Sequence, residues 1–128
     1  MNIYDPALLD QLIQAIDLCN INNLSEAARW IAKHFWIVDG VPIATSNIMF
    51  FNTYRGVVEC LASEPNSDGK YAGIIRPQEG SGYKIGAIVV TKHIHDTPDA
   101  AIQAAKKCLA KIRSIHPHSL TRGGNLDA

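Results

Sequence analysis

Two histidine pairs are the first residues whose type and spacing suggest chemistry. His93 and His95 stand two positions apart. On a strand both rings face the same way, with Cα atoms about 7 Å apart. Such a pair is a frequent start for a zinc or copper site, and Asp96 and Asp99 follow closely. His116 and His118 form a second pair. The helix expected between the pairs is about 28 Å long, so all four cannot hold one ion within a single chain. A site at His93 and His95 needs a third ligand, such as His34 or Glu59, and nothing in the sequence brings either there. Ordinary exposed histidines at a polar strand end are the better account of the pair, and no metal or cofactor is expected.

Covalent chemistry has little support. Glu79-Gly80-Ser81-Gly82-Tyr83-Lys84 is glycine-rich, but a phosphate-binding loop must open a helix and this one leads into a strand, which makes it a hairpin connection. Cys60 neighbours Glu59, yet adjacent residues on a strand point to opposite faces. Cys19 and Cys108 sit on apolar helical stripes and read as core. No Gly-x-Ser-x-Gly occurs and the carboxylates are scattered singly, so the chain is not expected to be an enzyme.

Binding residues are easier to nominate. Tyr54, Arg55, Tyr83 and Lys84 could line a small-ligand cleft between a sheet and the N-terminal helices. Phe50 belongs to an aromatic-rich stretch with Phe35, Trp36 and Phe51, and an exposed aromatic there would mark a partner or dimer surface. Lys106, Lys107, Lys111 and Arg113 make the last helix basic; a solvated amphipathic helix explains them without a ligand, and an acidic partner or nucleic acid explains them with one. The formal charge is zero, which weighs against a dedicated nucleic-acid binder. It conceals a split: residues 1–69 carry eight acids against three bases, and residues 70–128 nine bases against four acids. Intramolecular attraction between the halves explains this, as does self-association. A helix-turn-helix using Arg29, Lys33 and His34 is opposed by Asp5, Asp10, Asp17 and Glu26.

The elements that position these residues follow from punctuation and periodicity. Asp5-Pro6 opens a helix with Leu8, Leu9, Leu12, Ile16 and Cys19 on one stripe, and Ser25 caps a second, giving an αα-hairpin. Asp39-Gly40 between apolar runs predicts a β-hairpin with Pro42 on its edge. The stretch 48–61 suits either a helix or two strands, and Asn52, Thr53 and Gly56 favour strands. Lys70–Arg76 and the longer Tyr83–His93 are further strands. Thr97-Pro98-Asp99 caps a final helix reaching Ile115, with Ile102, Ala105, Cys108 or Leu109, and Ile112 inward. The expected fold is α+β: an N-terminal helical hairpin, a mainly antiparallel sheet of four or five strands, and a C-terminal helix packed on one face. One domain is expected over 1–118, with 119–128 a flexible C-terminal tail. About thirty residues around Asp96-Thr97-Pro98-Asp99-Ala100-Ala101 resemble the sheet-to-helix passage of small antitoxin domains with a partial double-stranded-RNA-binding-like fold. The likeness is that of a helix cap after a strand, and no function follows from it.

Apolar residues make up 47% and charged residues 19% of the chain, a globular composition. The start shows no basic then apolar leader, and no apolar run approaches a membrane span. Three scattered cysteines suit a reducing compartment, so a cytoplasmic location is expected. The function expected is that of a small non-enzymatic accessory protein that binds a partner, as a homodimer. A small-ligand domain, and binding of nucleic acid or an acidic partner by the C-terminal helix, are the alternatives.

Overall fold

Phe35–Val38 and Val41–Ala44 are short apolar runs separated by Asp39-Gly40, and they pair antiparallel as β1 and β2. Asp39 and Gly40 lie at φ 50° and 78°, the two positive values of a turn whose twist matches its strands. The computed structural model describes residues 34–78 and 86–126 of the chain. β2 is an edge strand, where the missing N–H of Pro42 costs no ladder bond. The other edge of β1 takes Gly124–Asn125 (β6) in parallel, with Trp36 opposite Gly124, and the Leu126 N–H donates to the Ile37 carbonyl at 2.8 Å.

The sheet stops there because the chain turns directly from β2 into a helix, α1 (Thr45–Thr53). This overturns the strand expectation for the first half of 48–61. Asn52 and Thr53 are poor helix formers, but tertiary contacts outweigh propensity. Ile48 and Phe51 are fully buried. Asn52 Nδ2 donates to the carbonyls of Ile112 and Ile115 at 2.9 and 3.0 Å, and Thr53 Oγ1 donates back to the Met49 carbonyl.

A second sheet follows. Val58–Ala62 (β3) pairs antiparallel with Gly73–Pro77 (β4), and β4 with Ile88–Val89 (β5). The long strand expected to reach His93 is cut short. The Val90 N–H still bonds the Gly73 carbonyl, but the Ile94 N–H folds back onto the Lys92 carbonyl at 3.0 Å, a three-residue turn that leaves the ladder. The expected single sheet of four or five strands is therefore wrong. Among the described residues there are two three-stranded sheets, ordered β2-β1-β6 and β3-β4-β5, and two α-helices. The expected N-terminal helical hairpin and the glycine-rich turn at 79–84 lie outside the described residues.

The last helix, α2, runs Pro98–Arg113. Thr97 Oγ1 accepts from the Ala100 N–H at 3.2 Å, Pro98 stands in the first turn, and Lys111 and Arg113 occupy the last turn, where the helix dipole favours cations. Ala101, Ala105, Cys108, Leu109 and Ile112 turn inward and pack on β3 and β4. One buried cluster joins both sheets and both helices, from Trp36, Val38 and Ile43 through Ile48 and Phe51 to Ile75, Ile88, Cys108, Ile112 and Leu120. Close approach of α2 to the sheet depends on Gly73, where an added Cβ would fall 2.6 Å from the Ala101 carbonyl oxygen and 2.9 Å from Ala105 Cβ. Gly73→Ala should therefore destabilise the fold by about 1–3 kcal/mol, read from urea unfolding, since backbone cannot yield as a side-chain tip does. Among the described residues, no helix is long and apolar enough to cross a membrane.

Candidate functional site

The turn after β5 and the exposed side of α2 enclose, with the β1–β2 turn, an open cleft of about 260 Å³. Its positions are held by backbone bonds. Thr91, at the near end of the loop, is buried; its Oγ1 accepts from the Gly73 N–H at 2.7 Å and donates to the Lys92 carbonyl at 3.1 Å. At the far end, Tyr71 and His95 exchange both backbone hydrogen bonds, at 2.8 and 3.1 Å, and Lys70 pairs with Asp96. That contact holds the Asp96 carboxyl below the usual carboxylate range. Between these anchors the loop presents Lys92, Ile94 and His95 to the cleft, with Ile94 64% exposed.

The opposite wall is α2. Ala104, Lys107 and Lys111 recur at three- and four-residue spacing and so share one helical face. Lys111 Nζ donates to Asp39 Oδ1 at 2.7 Å, fastening the β1–β2 turn to the helix through a half-exposed pair of small net worth. Lys92 lies over the same turn, with its Cε and Nζ 2.8 and 2.9 Å from where a Cβ on Gly40 would be. Among the described residues, three ammonium groups, an imidazole and a single carboxylate border this cleft. Such a site attracts anions, and the described residues that line it include no nucleophile paired with a base.

The remaining expected residues are dispersed. Lys106 and Arg113 stand on another face of α2, toward Cys60, and Arg113 Nη2 donates to the Tyr54 carbonyl at 3.4 Å. Tyr54 stacks on Phe50 with ring centres 5.1 Å apart, and Phe50 meets Phe51 edge-on. Arg55 Nη1 donates to the Asn52 carbonyl at 2.7 Å. None of these lines the cleft, and Tyr83 and Lys84 lie outside the described residues. His116 and His118 stack with ring centres 4.8 Å apart, and His116 Nδ1 accepts from the His118 N–H, capping a 3-10 turn at Pro117–Ser119. Among the described residues no three metal-ligating side chains come together.

A scan of protein-family models and searches of curated proteins and of solved structures find no match. Sequence reasoning missed Asp39, Lys92, Ile94 and His95 as one group. The only local signals were the Asp-Gly turn and a lysine at a strand end.

The two described thiols take no part in the cleft. Burial pushes the Cys108 thiol up to about 12, with the nearby Asp39 charge adding to the rise. Burial also raises Cys60, while Lys106 and Arg113 pull the other way. Iodoacetamide at pH 8 should modify Cys60 slowly and spare Cys108 until the protein unfolds, as followed by peptide mass spectrometry.

Proposed function

We propose that this protein acts by binding, and that it takes up an acidic segment of a partner protein in the cleft between α2 and the loop 91–95. The observation that carries this reading is the convergence of Lys92, Lys107 and Lys111 on a cleft where, among the described residues, the one lining carboxylate is Asp39, which accepts from Lys111. Among the described residues no ion pair engages Lys92 or Lys107. A partner's carboxylates supply counter-charge to Lys92 and Lys107 and relieve the repulsion between them. A protein segment suits the site better than nucleic acid. Acids and bases balance at 12 each over the chain, which weighs against a dedicated nucleic-acid binder, and the exposed Ile94 with Ala104 gives the cleft an apolar lining that a side chain can cover and a phosphate backbone cannot. The reduced thiols Cys60 and Cys108 fit a cytoplasmic setting.

Fluorescence anisotropy with a labelled dodecamer of glutamate tests this reading. Binding should be measurable at 50 mM salt and weaken about tenfold by 300 mM, as screening shortens the reach of the lysines. Affinity unchanged by salt would contradict it, and tighter binding of a dodecamer of thymidine would reassign the cleft to nucleic acid.

A further inference from the structure

The cleft is not simply basic. Part of its lining is apolar: Ile94 is 64% exposed and shares the cleft with Ala104. Ile94 stands out because the isoleucines of the core, Ile43, Ile48, Ile75, Ile88 and Ile112, are fully buried. At about 260 Å³ the space falls at or below the small end of whole-ligand pockets and has the scale of side chains. Asp39 shows where a carboxylate reaches the rim, 2.7 Å from Lys111 Nζ.

From this juxtaposition we infer that the cleft recognises an acidic protein segment carrying an apolar side chain next to its carboxylates, the apolar group on Ile94 and Ala104 and the carboxylates on Lys92 and Lys107. This deepens the binding reading above and rests on it. Charge alone selects any polyanion. An apolar contact flanked by cations selects acidic segments with aliphatic or aromatic residues interspersed, and rejects uniformly hydrated ones.

Two labelled peptides of equal length and charge separate the contributions, six repeats of Glu-Leu and six of Glu-Ser. The Glu-Leu peptide should bind about tenfold more tightly, the gain expected from covering most of one exposed aliphatic side chain. Ile94→Ser, a change at an exposed position that leaves the core intact, should reduce that difference to less than about twofold. Equal affinities in the parent protein, with no effect of Ile94→Ser, would overturn the apolar contact while leaving the acidic-partner reading in place. Failure of both peptides to bind would overturn the two together.

Discussion

Asn52→Ala is expected to cost on the order of 3 kcal/mol of stability, lowering the melting temperature by roughly 10 °C. The residue is 6% exposed, and its one amide group donates to two carbonyls, those of Ile112 and Ile115, at 2.9 and 3.0 Å. These carbonyls lie at the end of α2, where the helix has run out of its own donors. Asn52 thus works as a C-terminal cap delivered from another helix, and it locks α1 against the element that carries Lys107 and Lys111. Removing it strands at least the Ile115 carbonyl in a buried setting and opens a small void. Asn52→Asp keeps the shape but puts a carboxylate against carbonyl oxygens, so it should be no less damaging. A loss below about 0.5 kcal/mol for both variants, the range of an ordinary surface change, would show that the amide does not bridge the helices.

The second large effect concerns charge in the cleft. Lys92→Glu combined with Lys107→Glu should weaken binding of the glutamate dodecamer about 30-fold at low salt. Each reversal alters the interaction by roughly 1 kcal/mol at a surface dielectric, and 2 kcal/mol corresponds to that ratio. Both side chains are exposed, so the fold should tolerate the pair. The matched control is Lys106→Glu with Arg113→Glu. It changes net charge equally, but on a face of α2 about 130° away around the helix axis. A loss under about threefold there, beside 30-fold at Lys92 and Lys107, locates binding in the cleft. Equal losses would mean attraction by overall charge alone.

How much of this was legible in the sequence depends on the range of the interactions. The Asp39-Gly40 turn and the Thr97-Pro98 start of α2 are local devices, written in adjacent residues. α1 was not legible, because Asn52 and Thr53 argue against helix locally. What outweighs them is a hydrogen bond to Ile112, 60 positions away. The division into two sheets was hidden for a similar reason: β1 takes its second neighbour, Gly124–Asn125, from the far end of the chain, and a two-residue parallel strand has no pattern of its own. The site follows the same rule. Lys107 and Lys111 could be picked out as part of a basic stripe. Their separation from Lys106 and Arg113, and the meeting of Lys111 with Asp39 across 72 positions, depend on how α2 is rolled against β3 and β4. Ile94 gave no warning either, since an isoleucine after a β-rich run reads as one more strand residue until the turn at Lys92–Ile94 lifts it out of the ladder.

The most direct test of the central claim is a backbone amide NMR titration of the whole chain with the glutamate dodecamer. The largest shift changes should fall on Gly40, Lys92, Ile94, His95, Lys107 and Lys111, with little at Tyr54, Arg55 and Arg113. Changes concentrated at Tyr54 and Arg113 instead, or none at saturating peptide, would contradict it.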